Sequence, residues 1–495
     1  MIYKSRCLLF SSLAALLFLC PVVALQAQLI PQPAQVDFTS EEFVFTSATR
    51  WVLADFPSNY VHIGGDEATK THWKNCPKCQ ARMKKHSIPT EEELQSYFIG
   101  RINTFLIQHG KQLMGWDELV DSRIPENSVI VGWRGAGLGA ETAGAQGFRY
   151  IKSPAWYYYF IRYQGPQWFE PFTYFGNTTL KDVYEYEPLP ASVDSATAKQ
   201  MLGVQACLWT EFINRPEDAW YMVFPRLAAF AESAWSDPGR KNWKDFNSRL
   251  EVLLHRYQWL RIPYARSMYN LQHTVKPSNG KLTVVLDNIL PEREIRYTLD
   301  GSEPDANSTV YTDSLSVMPG MVVRAAVFQS QIRKGEILSL RTLGHKAAGQ
   351  YLHSKEPMAR VLVNGVRGSE KLTDGEWVDL YDRDAVFEVQ WKEPVSISRL
   401  GIGLLNNAGM GIHFPSSLQV MVSQDGHNFI SLQQYEFSEA ERFQQGHFRT
   451  TRYFKFDSRL VKALRVMVRN PGITPPWHLR KGTATRAALD ELIVE

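Results

Sequence analysis

The sequence predicts an α/β protein: an incomplete (β/α)8 barrel of the TIM type, about its last five βα units, followed by two all-β modules. Three observations predict it. Five short apolar runs, at 60–64, 112–116, 129–133, 149–153 and 203–209, alternate with helical patterns, which is the rhythm of parallel βα units. The first run, Phe56-Pro-Ser-Asn-Tyr-Val-His-Ile-Gly-Gly-Asp-Glu67, ends in two glycines and two adjacent acids. A barrel places its chemistry at that C-terminal rim of the strands. Beyond residue 265, helical periodicity gives way to short β runs separated by turn residues. A closed barrel has eight strands in about 250 residues, and five alone leave two edges of unpaired backbone. Three explanations stay open: an internal deletion, a missing half supplied by another chain, or a rearranged half-barrel with its own closure.

Taken in order, Lys4 and Arg6 precede an apolar run from Leu8 to Val23, with Ala24 and Ala27 before Gln28. This predicts a signal peptide over 1–27 and an exported protein, periplasmic or extracellular. The run is too short to span a bilayer and is interrupted by Pro21. Cys20 follows Leu-Phe-Leu, which disfavours a lipid anchor. No later stretch reads as transmembrane. Residues 28–51 hold short alternating runs, Val36-Asp-Phe and Phe43-Val-Phe, that predict edge strands. Residues 52–265 carry the partial barrel. Tyr60, Val61 and Ile63 favour a strand, and Gly64-Gly65 ends it. Thr90 with Glu93 predicts a capping box. Leu94, Tyr97, Phe98, Ile102, Phe105 and Leu106 then follow at helical spacing up to Gly110. The next strands run into Trp116-Asp117-Glu118 and Trp133-Arg134, and the last into Trp209-Thr-Glu211. Arg226 to Trp235 predicts a helix, and Trp243, Phe246, Leu250, Leu253, Leu254 and Tyr257 form one stripe of another.

Composition narrows the function. A net charge of +3 over 495 residues gives no basis for binding nucleic acid or an anionic membrane. The 14 tryptophans suit either a large aromatic core or the stacking of rings on sugar faces. Outside the signal, Cys76-Pro-Lys-Cys79 is a lone C-x-x-C, and Cys207 stands apart. A zinc site would need a second pair and a redox motif a thioredoxin-like context, so a loop disulfide or two idle thiols is expected.

The stretch His62-Ile-Gly-Gly-Asp-Glu67, after Phe56-Pro-Ser-x-Tyr60, resembles the catalytic strand of family 20 glycoside hydrolases, the β-N-acetylhexosaminidases. The resemblance extends further. Residues 28–51 are similar to the opening of the small α+β domain that precedes such barrels. After Arg50–Leu53, the rest of that domain and the first three barrel units have no counterpart. Residues 266–345, with Arg296-Tyr-Thr-Leu-Asp-Gly301, resemble a small chitobiase-type β-sandwich, and Asp300-Gly301 is a hairpin signal. Residues 346–495 resemble a discoidin-like jelly roll, with Trp377, Phe414 and Trp477 as loop aromatics or as packing.

The chemistry agrees with this resemblance. Neighbouring side chains on an extended backbone diverge, so Asp66 and Glu67 suit a substrate that brings its own nucleophile, as a 2-acetamido sugar does. The resemblance implies retaining hydrolysis of terminal β-linked N-acetylglucosamine or N-acetylgalactosamine, without metal or cofactor. Glu67 would be general acid and base, with a carboxyl raised by apolar surroundings. Asp66 would orient the acetamido group and stabilise the oxazolinium. Trp116, Trp133 and Trp209 would wall the sugar. Tyr159 would bond the acetamido carbonyl and Glu211 the sugar hydroxyls. His62 would tune the acid or sit satisfied inside the barrel. Two departures stand out. Ile161 occupies the place of a family acid, with Arg162 beside it suggesting an anionic sugar, and no arginine from early strands is present to hold the outer hydroxyls. Reduced or absent activity is therefore expected, the alternative being an inactive truncated member that acts at most as a glycan-binding protein.

Overall fold

A computed structural model describes residues 56–121, 123–290 and 292–495. The signal peptide expected at 1–27 and the edge strands expected at 28–51 lie outside the described residues. The described chain divides into two compact units, one holding residues 56–64, 69–114 and 125–128 and the other the remainder.

In the first unit, β1 (Tyr60–His62) runs parallel to β2 (Gln112–Trp116), with Tyr60 opposite Gln112 and His62 opposite Met114. Helices α1 (Pro77–Lys85) and α2 (Glu91–Gln108) lie between them in the chain. Thr90 caps α2 by accepting the Glu93 N–H at 3.2 Å. Three glutamates in the first turn complement the helix dipole. Gly110 stops the helix at φ +67°, a conformation that costs other residues about 1 kcal/mol. Leu94, Ile99 and Leu106 bury the inner stripe, while Phe98 is largely exposed. Cys76 caps α1 and Cys79 lies on its first turn, and both thiols are free, so no loop disulfide forms. The chain passes to the second unit within β2, after Met114.

In the second unit, β4 (Arg149–Lys152) lies between β3 (Val129–Gly132) and β5 (Met201–Val204), all parallel. Every residue of β3 is buried, as a central parallel strand requires. The crossover helix α3 (Leu138–Ala145) packs so tightly that a side chain at Gly132 would meet the Ala140 methyl at 2.5 Å. The fifth predicted run, 203–209, is corrected: β5 ends at Val204, and Trp209 stands on the loop beyond it. Pro154 follows β4 and has no N–H to extend the ladder. The chain pairs again only at Cys207, which bridges Tyr159; Phe160 N–H donates to the Cys207 carbonyl at 2.8 Å.

Behind the sheet, α4 (Arg226–Trp235) and α5 (Trp243–Trp259) bury Ala229, Phe246, Leu250, Leu254 and Tyr257 against Tyr158, Phe160, Leu180 and Tyr184. Trp243 and Leu253 of the expected stripe are only partly buried. Arg226 has no exposed surface. Its guanidinium donates to the carbonyls of Phe160, Arg162, Thr178 and Met222.

Two β assemblies follow. Strands β6 (Gln272–Ser278), β7 (Lys281–Asp287) and β9 (Ser314–Val317) form one antiparallel sheet. Strands β8 (Glu294–Thr298), β10 (Val322–Gln329) and β11 (Leu338–Arg341) belong to another. Leu282, Val284, Val323, Ala325, Val327 and Leu340 form their shared core. Asp300-Gly301 makes no tight hairpin: the next paired residue after Thr298 is Thr309. The last sheet is antiparallel, in the order β12 (Val378–Tyr381), β17 (Arg486–Val494), β13 (Ala385–Asn407), β16 (His447–Arg469), β14 (Ser417–Ser423), β15 (Ile430–Glu436). Trp377 and Phe414 are core residues there, at 3% and 5% exposure, whereas Trp477 is exposed at 56%. Among the described residues no helix is long and apolar enough to cross a membrane.

Candidate active site

The turn after β1 is built on left-handed backbone. Gly64 and Gly65 take φ +76° and +100°, and Glu67 takes φ +48°. A non-glycine residue there carries strain of about 1–2 kcal/mol, the kind that persists at functional turns. Asp66 and Glu67 are both exposed. The apolar surroundings expected for Glu67 are therefore not formed by the described residues. His62 is exposed as well and accepts the Gly64 N–H at 3.1 Å through Nδ1, so it is not a core histidine.

Four aromatic rings form a continuous row. Trp116 lies 6.2 Å from Trp209, Trp209 lies 6.2 Å from Tyr159, and Tyr159 stacks on Trp133 at 6.0 Å and 12°. Trp116 and Tyr159 are buried, Trp133 half-buried, and Trp209 exposed at 42%. A core cluster would bury all four, so this row is a wall with one open face. Burial, chiefly, pushes the Tyr159 phenol above its ordinary range; the Cys207 thiol and the Asp117 and Asp66 carboxylates add to this, against a Trp209 hydrogen bond. Asp66 is thus within electrostatic reach of the row.

The wall is braced by a pair of acids. Glu118 accepts the Trp133 indole N–H with both oxygens, at 3.1 and 3.0 Å. Asp117 is wholly buried, and its carboxylate accepts Arg134 Nε at 3.3 Å. Arg134 also grips Asp121 with two bonds, at 2.8 and 2.9 Å. Burial pushes the Asp117 carboxyl up to about 6, with Arg134 opposing and Glu118 adding. The Tyr174 phenol is raised by burial first, then by the Glu67 carboxylate, with Arg162 opposing and Glu211 adding. Tyr174 is therefore within electrostatic reach of both Glu67 and Glu211.

Residues 26–238 match the family model described as glycosyl hydrolase family 20, catalytic domain, and residues 277–339 match the chitobiase/beta-hexosaminidase C-terminal domain. The matched region, 26–238, is thus a family 20 catalytic-domain sequence, followed by the C-terminal domain of the same kind of protein. The chain is 34% identical over 265 residues to a beta-hexosaminidase of Porphyromonas gingivalis, covering 52% of this chain and 33% of that protein. It is 35% identical over 185 residues to a beta-hexosaminidase of Vibrio furnissii, covering 37% of this chain and 30% of that one. A solved Vibrio harveyi family 20 exo-β-N-acetylglucosaminidase, in complex with N-acetylglucosamine, is 32% identical with a TM-score of 0.40, covering 44% of this chain and 34% of that one. The chain spans about a third of the length of these relatives.

The structure brings Trp116, Trp133, Tyr159 and Trp209 together, with Asp66 within electrostatic reach of Tyr159, and Glu67 and Glu211 each within reach of Tyr174. It also adds residues that sequence reasoning passed over. Asp117 and Glu118 were visible as the rim of a strand, but their partners Arg134 and Trp133 sit on a different strand end, so no local spacing joins them. Tyr174 opens a short strand, Tyr174–Asn177, whose sequence shows no apolar periodicity. Ile161 is buried at 2% exposure and belongs to the core. Arg162 donates to the carbonyls of Phe175 and Ala155, at 3.1 and 3.3 Å.

Proposed function

We propose that this chain is a family 20 β-N-acetylhexosaminidase that removes terminal, non-reducing β-linked N-acetylhexosamine from glycans with net retention. The observation that carries the reading is the pair of adjacent acids on a Gly-Gly turn within reach of a one-sided aromatic wall. The relatives it matches are beta-hexosaminidases. Glu67 protonates the leaving oxygen while the substrate's acetamido oxygen attacks C1. Asp66 holds the acetamido N–H and balances the positive charge of the resulting oxazolinium. Glu67 then takes a proton from the water that opens it. Tyr159 donates to the acetamido carbonyl, and Trp116, Trp133 and Trp209 enclose the sugar and exclude competing water. Glu211 accepts from sugar hydroxyls. The reaction uses no metal or organic cofactor.

The finer architecture is part of the proposal. The five parallel strands correspond to the last five βα units of a TIM-type barrel, residues 266–345 to a chitobiase-type sandwich and residues 346–495 to a discoidin-like module. The pattern at 1–27 supports export to the periplasm or beyond; secreted protein should begin near Gln28 by N-terminal sequencing. The activity is tested with an aryl N-acetylglucosaminide. Release of the chromophore by the full chain, abolished in Glu67→Gln, supports the reading. Release that persists in Glu67→Gln, or none from the full chain, refutes it.

A further inference from the structure

We propose that the C-terminal module completes the leaving-group side of this site: Phe172, Phe212 and His447 form a stacking surface for the sugars that follow the scissile bond in a β-linked N-acetylhexosamine oligosaccharide. The inference rests on the hexosaminidase reading and adds a binding surface to it. Phe212 directly follows Glu211, and Phe172 lies two residues before Tyr174, whose phenol feels both Glu67 and Glu211. Two of the rings are thus adjacent in the chain to residues of the site, Phe212 to Glu211 and Phe172 to the segment of Tyr174.

Its rings are in contact. Phe172 meets Phe212 at 5.5 Å and 68°, and meets His447 at 5.0 Å and 56°. His447 opens β16 of the last sheet, so the third ring comes from the C-terminal module. The module holds this edge firmly. His447 Nε2–H donates to the Glu370 carbonyl at 2.6 Å. Lys371 donates to the carbonyls of Gln167 and Glu170, and Thr373 Oγ1 donates to the Gln167 side chain at 3.0 Å. The loop at 370–373 thus clamps the segment that leads to Phe172.

Single exposed apolar rings are ordinary on a protein surface. Here Phe172, Tyr174, Phe175 and Trp209 are each 42–46% exposed, the Tyr174 and Phe175 rings meet at 4.3 Å, and exposed apolar rings gathered together mark a binding surface. Pyranose rings present flat C–H faces that stack on such rings, with hydroxyls at their edges. The terminal sugar is enclosed by the tryptophan wall. The outer rings are left for the sugars on the far side of the bond that Glu67 protonates.

The test measures dependence on chain length. Calorimetry on Glu67→Gln compares N-acetylglucosamine with its β-linked di- and trisaccharides, and turnover by otherwise wild-type enzyme compares the trisaccharide with an aryl N-acetylglucosaminide. The trisaccharide is expected to bind about tenfold tighter than the monosaccharide. Phe172→Ala and His447→Ala are each expected to lower the ratio of trisaccharide to aryl kcat/KM about three- to tenfold, the size of one aromatic stacking contact. Lys371→Met, which releases the clamp without removing a ring, is expected to lower the same ratio. Equal binding of mono- and trisaccharide, or ratios in His447→Ala and Lys371→Met that match the wild type, overturns the proposal. Failure of the wild type on the aryl substrate refutes the hexosaminidase reading instead.

Discussion

Replacing Asp117 with asparagine should remove a stability loss that the native protein suffers as pH rises. The Asp117 carboxyl stands at about 6 in the folded chain against 3.8 as its ordinary value, because burial penalises its charged form more than Arg134 compensates. Between those two values the folded state keeps a proton that the unfolded state has released. Stability therefore falls with rising pH through this window. The penalty is absent below 3.8 and complete above about 6. At 1.36 kcal/mol per pH unit the displacement corresponds to about 3 kcal/mol. Arg134 is 39% exposed, and solvent screening lowers the working figure to about 1–2 kcal/mol. Asparagine keeps an oxygen for Arg134 Nε but does not titrate. Urea unfolding followed by tryptophan fluorescence, from about pH 4 to about pH 7.5, should show the variant level with the wild type in acid and ahead by that amount at neutrality. Asp374, also pushed up to about 6 by burial, is present in both proteins and cancels in the difference. A difference that stays constant with pH, or widens on acidification, would refute the assignment.

Three further outcomes are expected. Trp133→Phe loses the N–H bonded to both oxygens of Glu118, so KM for an aryl N-acetylglucosaminide should rise about three- to tenfold with a smaller change in kcat; an unchanged KM would count against the brace. Arg226→Met leaves the carbonyls of Phe160, Arg162, Thr178 and Met222 without their buried donor, and denaturant unfolding should show a loss of at least about 3 kcal/mol, whereas a loss below about 1 kcal/mol would show that other groups satisfy them. Hydrogen bonds from Cys79, chiefly, hold the Cys76 thiol below its ordinary range, while burial raises Cys79. Iodoacetamide at mildly alkaline pH should therefore label Cys76 first, as read by peptide mass spectrometry, and preferential labelling of Cys79 would reverse the assignment.

The legible parts of the chain were those written in local chemistry. Thr90 before Glu93 and the stripe from Leu94 to Leu106 specify α2 because capping and 3.6-residue periodicity act within a few residues. The uninterrupted apolar run Val129-Ile-Val-Gly132 marks a strand covered on both faces. Residues 203–209 read as one run that predicts Trp209 at a strand end, but the ladder stops where its partner reaches Pro154, and that partner is 50 residues away in the chain. Trp377 and Phe414 have turn-like neighbours yet pack in the core, since burial depends on what the sheet brings against them.

The amino-acid order was enough to specify the Gly-Gly-Asp-Glu turn, Trp116 and Trp133 at their strand ends and the change from α/β to all-β organisation, because each rests on backbone preference and short-range periodicity. Folding in three dimensions was needed to join Trp133 to Glu118, to bury Asp117 against Arg134, to remove Ile161 into the core and to bring His447 to Phe172. Those pairs come from distant parts of the chain, and their distances and burial are set by how helices and sheets pack. A local pattern can name the residues of a site, but the electrostatic state and the neighbours of each one arise only when packing excludes water around them.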